Sequence, residues 1–144
     1  MDNTALLETG LNIAKTYDVS TKENSVVVYS ISFQPTPTNR EKAFSFVKEN
    51  PEKMLIEHTE CGGKLVEMGF ESATTLPAED LMMIWMEASR RFICSAKGNV
   101  TAFVENAHPQ SVFMTVELPN ILKNPNILTI NNIDKHSFAE SLKK

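Results

Sequence analysis

Two hydrophobic periods alternate along this chain, and together they predict its secondary structure. Apolar residues spaced three or four positions apart lie on one face of a helix. This spacing indicates helices at residues 4–17, 40–49 and 64–68, between Pro77 and Gly98, and at 136–142. Runs rich in β-branched and aromatic residues are typical of strands. Such runs occur at residues 26–33, 53–57, 100–104, 112–118 and 127–130.

The order of these elements predicts the fold class. Strand, helix and strand follow one another twice, and such repeats form parallel sheets with the helices packed on their faces. We therefore expect an α/β fold with a small, largely parallel central sheet flanked by helices. The 144 residues fit a single domain, with a helical N-terminal segment at 1–25, a core at 26–131 and a terminal helix within 132–144.

Polar and aromatic residues stand where such a sheet binds ligands. In open parallel sheets, ligands bind beyond the carboxyl ends of the strands. Tyr29 and Ser30 lie late in the first predicted strand, Glu57 ends the second, and Glu117 ends a later one. We expect these groups to converge at one edge of the sheet.

Composition and charge make several classes of function improbable. The net charge of -4 gives no basic surface, so nucleic acid is not an expected partner. No apolar run is long enough to cross a membrane, and the first residues do not resemble a signal peptide, so we expect a cytoplasmic protein or one delivered by other means. Cys61 and Cys94 form no CxxC pattern and the three histidines are scattered, so we expect two free thiols and no metal site.

Trp85, Ser89 and Glu117 have the most specific chemistry of the chain. Trp85 is the single tryptophan, and Ser89 follows four residues later, on the same face of a helix. Trp85 can simply belong to the core, and Glu117 can be a solvent-facing strand end. The alternative is a site in which an indole face holds a planar cationic ring and a carboxylate offsets positive charge at an anomeric carbon.

Five further residues are candidates for the site, and most of them also allow a structural interpretation. Glu57 is either an exposed turn residue or a carboxylate that accepts a hydrogen bond from the amide of a bound base. Tyr29 either stacks on a ligand or fills the core. The pair Arg90-Arg91 is either a solvated helix face or a phosphate clamp, and Arg40, at a helix start, is a weaker phosphate candidate.

Taken in order, these motifs resemble the ADP-ribosyl cyclase / NAD glycohydrolase family. That family has a strand ending in Trp-Ser, a Leu-Glu-Asp-Thr turn, a Trp-x-x-x-Ser-Arg-Arg-Phe helix, a valine-rich strand and a Phe-Gly-Ser-Val-Glu strand. The corresponding stretches here are Tyr29-Ser30, Ile56-Glu57-His58-Thr59, Trp85 to Phe92, Val100 to Val104, and Phe113-Met114-Thr115-Val116-Glu117. The match spans about residues 26–131, and five motifs in one order are more specific than any of them alone.

The resemblance implies three catalytic residues. Glu117 is similar to the glutamate that holds the ribose and stabilises an oxocarbenium-like intermediate. Trp85 is similar to the tryptophan that stacks on nicotinamide, and Ser89 to the serine beside the reacting carbon.

The resemblance also implies residues that bind the substrate. Glu57 is similar to the residue that contacts the nicotinamide carboxamide, while Ser30 and the region of Phe113 are similar to groups that contact the diphosphate. Tyr29 stands where the family usually has a second tryptophan, so one wall of the pocket is expected to be smaller and more polar. His58 replaces an aspartate of the family.

The chain is more similar to the compact bacterial members of the family than to the animal ones. Animal members are nearly twice as long, with a helical N-terminal half and several disulfides, and this chain has neither. The compact members are C-terminal toxin domains of contact-dependent inhibition and related delivery proteins. This resemblance implies NAD destruction in the cytoplasm of a target cell and a cognate immunity protein in the producer.

The sequence thus favours an NAD(P)+ glycohydrolase that gives ADP-ribose and nicotinamide, with NAD or NADP as substrate and no metal or redox cofactor. Glu57 corresponds, by the resemblance, to a residue that holds nicotinamide. This favours hydrolysis over cyclisation. The alternative is a non-catalytic nucleotide-binding or inhibitor module on the same fold, and a third possibility is transfer of ADP-ribose to a protein.

Overall fold

Helices surround a small sheet in the structure, a computed structural model that describes residues 2–30, 38–71 and 75–142. These residues form six α-helices: α1 Asn3–Thr16, α2 Asn39–Glu49, α3 Glu60–Glu67, α4 Ala78–Cys94, α5 Leu118–Lys123 and α6 Lys135–Ser141. The strands described are β1 Val27–Tyr29, β2 Gly98–Phe103, β3 Ile127–Ile130 and β4 Ile133–Asp134. A 3₁₀ helix, Ile56–His58, precedes α3, and a π-helix, Phe113–Glu117, continues into α5.

The sheet has the order β1-β2-β3-β4 and is mostly parallel. Strands β1, β2 and β3 run in one direction, and the short β4 pairs antiparallel with β3. Both cysteines have free thiols, Cys61 in the interior and Cys94 at the surface. The predicted α/β class, with a small, largely parallel sheet and no disulfide, is therefore confirmed.

Both faces of strand β1 are covered, which explains its uninterrupted apolar sequence. Val26 and Val28 pack into the main core, which helices α1, α3, α4 and α5 cover. Val27 points to the opposite face and packs against Ala43 and Val47 of α2. Side chains alternate between the faces of a strand, so a strand buried on both faces has apolar residues at consecutive positions.

The predicted strand at 53–57 is reduced to a single bridge. Met54 pairs in parallel with Val26 at the edge of the sheet, and the chain then turns into the 3₁₀ helix. Local hydrogen bonds replace the ladder, since the backbone N–H of Leu55 donates to His58 Nδ1 and the Thr59 hydroxyl donates to the Ile56 carbonyl. Such side-chain bonds compete with strand pairing. Glu57 thus lies in a helical turn and does not end a strand.

The predicted strand at 112–118 is wrong, because these residues are helical. The Ser111 hydroxyl accepts a hydrogen bond from the backbone N–H of Met114 and starts the helix. The N–H of Leu118 then donates to the carbonyl of Phe113, five residues earlier, as in a π-helix. Pro119 lies in the first turn of α5, directly after the π-helix. Residues 31–33, the end of the first predicted strand, lie outside the described residues.

Helix α1 is an integral part of this domain. Ile13 and Ala14 are buried in the main core, and Gly10 packs so closely on α4 that an added Cβ would overlap Ile84. Within the described ranges, no helix is long and apolar enough to cross a membrane.

Arg91 fastens helix α1 to helix α4. Its Nη1 donates to the carbonyl oxygens of Ala14 and Tyr17, over 2.7 and 2.9 Å, at the end of α1. Its neighbour Arg90 pairs with Glu87 at the surface of α4. Arg90 thus fits the interpretation as a solvated helix face, whereas Arg91 donates to backbone carbonyl groups of α1 and the residue that follows it.

We expect Arg91→Ala to destabilise the protein far more than Arg90→Ala. The Arg91 variant leaves two carbonyl oxygens without their charged donor, and hydrogen bonds to charged groups contribute about 1.5–3 kcal/mol. The Arg90 variant loses only a surface pair and should lie within about 0.5 kcal/mol of wild type. Urea unfolding of both variants measures the difference, and equal losses would contradict the assigned role of Arg91.

Candidate active site

A cavity of about 460 Å³ lies beside strand β1, and most of the candidate residues line it. Elements far apart in sequence form its walls: β1, the 3₁₀ helix, α4 and the π-helix. Six of the seven residues proposed from sequence lie on these walls: Tyr29, Glu57, Trp85, Ser89, Phe113 and Glu117. The seventh, Ser30, is not among the lining residues.

Glu57 is held in the cavity wall by its turn and by a tyrosine. Tyr29 Oη donates to Glu57 Oε2 over 2.6 Å. The other oxygen, Oε1, is buried and accepts no hydrogen bond from the described part of the chain. One half of this carboxylate is therefore satisfied by the protein and the other half is not.

Gly62 allows the turn that carries Glu57 to pack on helix α3. A Cβ at this position would overlap the backbone carbonyl of Ile56, so no larger residue fits without moving the 3₁₀ helix. At the next position, Gly63, a Cβ would lie 3.4 Å from the Glu57 carbonyl oxygen, which is an ordinary contact.

Glu117 is the buried acid of the cavity. It ends the π-helix, is 6% exposed, and its carboxyl group forms no hydrogen bond with the residues that the structure describes. Loss of hydration on burial, with a smaller contribution from the negative charge of Glu57, raises the pKa of Glu117 from 4.5 to about 8. Burial thus favours the protonated form of this carboxyl group at neutral pH.

Helix α4 supplies the aromatic group and the hydroxyl of the site. Trp85 is half-buried, and its indole N–H donates to the carbonyl of Phe70 over 3.0 Å, which fixes the orientation of the ring. Ser89 lies one turn further along the same wall and is 4% exposed. The predicted spacing of four residues therefore does place both side chains on the cavity.

The cavity rim carries an ion pair that the sequence did not reveal. Arg40 Nη2 lies 2.5 Å from Glu71 Oε1, and the guanidinium also sits over the ring of Phe44, 4.5 Å from its centre. Arg40 is the one cationic side chain among the described lining residues. Glu71 lies in no periodic pattern, and its partner is 31 residues away, so no sequence signal pointed to it.

Ser30 is buried behind the site and supports it from there. It is 2% exposed, and its hydroxyl donates to Ser111 Oγ over 3.0 Å. Ser111 starts the helix that carries Glu117. Ser30 therefore contacts the residue that begins this helix, and it does not line the cavity.

The cavity is a largely apolar space with three carboxyl groups, those of Glu57 and Glu117 and that of Glu71, which pairs with Arg40. Most of the remaining wall is hydrophobic: Val28, Ile56, Phe70, Leu81, Met82 and Phe92. Electrostatic interactions are strong in such surroundings, and a flat ligand with positive charge would complement both Trp85 and the acids. Among the described residues, no group of three or more His, Cys, Asp and Glu side chains is placed to hold a metal ion.

Comparison with known proteins shows the fold. No protein-family model and no curated protein match the chain. Solved structures with a similar fold include ADP-ribosyl cyclase complexed with N1-cIDPR, a glutamate-to-alanine mutant of ADP-ribosyl cyclase, and Aplysia cyclase complexed with the substrate NGD and the product cGDPR. Each is 16% identical to this chain, with TM-scores of 0.57, 0.56 and 0.57. The matches cover 90% of this chain and 63% of theirs, so the chain has the ADP-ribosyl cyclase fold and spans 63% of the length of these proteins.

We expect Gly62→Ala and Gly63→Ala to have opposite effects on stability. In most helices, alanine in place of glycine stabilises by about 0.4–1 kcal/mol, and Gly63→Ala should behave in this way. Gly62→Ala should instead cost about 2 kcal/mol or more, because its methyl group meets backbone atoms. Thermal or urea unfolding of both variants tests this, and a stabilised Gly62→Ala protein would disprove the close contact.

We expect Glu117→Gln to change how stability depends on pH. Between pH 4.5 and about 8, the unfolded state has lost a proton that the folded state keeps on Glu117. Wild type therefore becomes less stable as pH rises through this range, by about 1.4 kcal/mol per pH unit from this group. Urea unfolding measures the free energy of unfolding of both proteins. The value for Glu117→Gln minus the value for wild type should be roughly 4 kcal/mol larger at pH 8 than at pH 5. An equal difference at both pH values would contradict the raised pKa.

Proposed function

We propose that this protein is an NAD(P)+ glycohydrolase, which cleaves the bond between nicotinamide and ribose to give nicotinamide and ADP-ribose. The observation that supports this most is the buried carboxyl group of Glu117, which lies in an apolar cavity with Trp85 and Glu57. A carboxyl group placed in such surroundings is costly for the folded protein, and a cationic ligand would offset that cost. The ADP-ribosyl cyclase fold supports the same reading.

The pyridinium ring of the substrate stacks on Trp85 in this proposal. The indole face attracts a cation, and the bond from Trp85 Nε1 to the Phe70 carbonyl keeps the ring in place before the substrate arrives. Glu57, which lines the cavity, accepts a hydrogen bond from the carboxamide of nicotinamide.

Glu117 acts on the ribose as an ionised carboxylate. It accepts hydrogen bonds from the ribose hydroxyls and stabilises the positive charge that grows on the anomeric carbon. The bond to the ring nitrogen breaks and its electron pair stays on nicotinamide, which leaves as a neutral molecule. Water then adds to the cation and loses a proton, so that ADP-ribose is formed. Ser89, which lines the cavity with Trp85, contacts the reacting part of the ribose in this proposal.

The diphosphate lies towards the rim in this arrangement. Arg40 is the cation there, and a diphosphate would replace Glu71 as its partner. Phe113, which is 1% exposed, supplies apolar wall to the cavity, while Ser30 acts indirectly, through Ser111.

We expect purified protein to release nicotinamide from NAD, and Glu117→Gln to reduce kcat/KM by at least about 100-fold. Removal of one group that stabilises charge in a transition state typically costs this much. Products are separated by chromatography, which also distinguishes ADP-ribose from a cyclic product and from label attached to protein. Because the free enzyme must lose the proton of Glu117, kcat/KM should rise with pH and level off above about 8.

Glu67→Gln is the matched control for this experiment. Glu67 lies on the exposed side of α3, where it pairs with Lys64, and the variant should keep wild-type activity. Tight NAD binding without products would instead support the alternative, a non-catalytic nucleotide-binding module. Products formed equally by wild type and Glu117→Gln would exclude the proposed role of Glu117.

The resemblance of the motifs further suggests a toxin domain that depletes NAD in the cytoplasm of a target cell and is blocked by a cognate immunity protein. The same variants give the cellular readout. On expression in bacteria, wild type should lower cellular NAD and growth, and Glu117→Gln should do neither.

A further inference from the structure

The face of the sheet opposite the main core is covered over only part of its width. Helix α2 packs there on β1 through Ala43 and Val47. Its Phe46 also contacts Phe103 of β2, with 5.5 Å between the ring centres. Further across the sheet, Leu128 of β3 is 65% exposed. Parallel strands are usually covered on both faces, so this uncovered part of the sheet has room for a partner.

A groove of about 410 Å³ runs along α2 beside this uncovered part of the sheet. Its lining residues are one residue of β2 and five residues of α2: Phe103, Glu41, Lys42, Ser45, Phe46 and Glu49. Positions 42, 45, 46 and 49 are three or four residues apart, so these four side chains share one face of the helix. Both phenylalanines are partly buried, which gives this face an apolar centre with one charge towards each end.

This face of α2 is complementary to itself. A two-fold axis through its centre pairs two copies of α2 antiparallel, so that position 42 lies opposite position 49 and position 45 opposite position 46. Each Lys42 then lies opposite a Glu49, which gives two ion pairs, and the small side chain of Ser45 leaves room for Phe46.

The two charges of this face are available for a partner. Glu49 is exposed and forms no ion pair with the residues that the structure describes. Lys42 Nζ lies 3.3 Å from Glu105 Oε2, and the Glu105 side chain is 66% exposed. A pair at such an exposed position contributes little to stability, so little is lost when Lys42 changes its partner.

We propose that two copies of this chain form a symmetric dimer, in which each α2 lies antiparallel to the other and occupies the groove beside Phe103 of the opposite chain. Burial of the apolar centre stabilises the dimer, and the two ion pairs determine its register and orientation. None of the groove residues lines the active-site cavity, so the dimer does not depend on the proposed function.

Sedimentation equilibrium of the purified protein measures the association. Wild type should be largely dimeric at about 100 µM, which suits a small, partly polar interface. Lys42→Glu places two carboxylates opposite each other at both ends of the interface, and Glu49→Lys does the same with two ammonium groups. Because symmetry makes each substitution act twice, either variant should raise the Kd of the dimer by about 10-fold or more.

A mixture of these two variants gives the decisive measurement. One chain then brings two carboxylates to the interface and the other brings two ammonium groups, so a heterodimer should form with about the affinity of wild type. The double variant, Lys42→Glu with Glu49→Lys, should also recover the dimer. This double variant cannot form the pair with Glu105 again, so the recovery has to come from contact between chains.

Lys48→Glu is the matched control. It makes the same change of charge at an exposed residue of α2 that does not line the groove, and it should keep the wild-type Kd. The proposal is overturned if wild type is a monomer at the stated concentration, if either charge reversal leaves the dimer unchanged, or if the mixture of variants does not associate. The NAD assay has no bearing on these outcomes, because it reports on the cavity alone.

Discussion

Burial of helix α4 on several sides is the constraint on which the rest of the structure depends. Ile84, Ala88 and Phe92 are completely buried in the core, and Gly10 of α1 packs directly on this helix. Arg91 then fastens the end of α1 by two hydrogen bonds. Because α4 is held in this way, the face of α4 that carries Trp85 and Ser89 is rigid where it lines the cavity.

The site is preorganised by hydrogen bonds that satisfy only part of each functional group. Trp85 uses its N–H to bind the backbone of Phe70 and keeps its ring for a ligand. Glu57 uses one oxygen to bind Tyr29, and Glu117 uses neither of its oxygens within the described part of the chain. Rigid support combined with unsatisfied polar atoms is what a binding site requires, since the ligand then completes the hydrogen bonding.

The two strands that were predicted wrongly show where sequence patterns fail. Residues 112–118 contain β-branched and aromatic residues that are typical of strands, yet the Ser111 hydroxyl starts a helix there and the core accepts their apolar side chains in helical form. At 53–57, pairing stops at Met54 because His58 and Thr59 bind nearby backbone groups. Strand propensity describes how well a residue suits an extended, half-buried backbone. Hydrogen bonds from one or two nearby polar side chains can outweigh this preference.

The sequence by itself determined the α/β class, the largely parallel sheet, the two free thiols and the helix on which Trp85 and Ser89 share a face. These features depend on hydrophobic periodicity and fixed spacing, which are local properties of the chain. Only the tertiary structure decided that Glu117 is buried and has a raised pKa, that Tyr29 binds Glu57, that Ser30 lies behind the cavity and that Arg91 holds helix α1. Each of these depends on groups brought together from distant parts of the chain, and both desolvation and hydrogen-bond partnership are set by that three-dimensional packing.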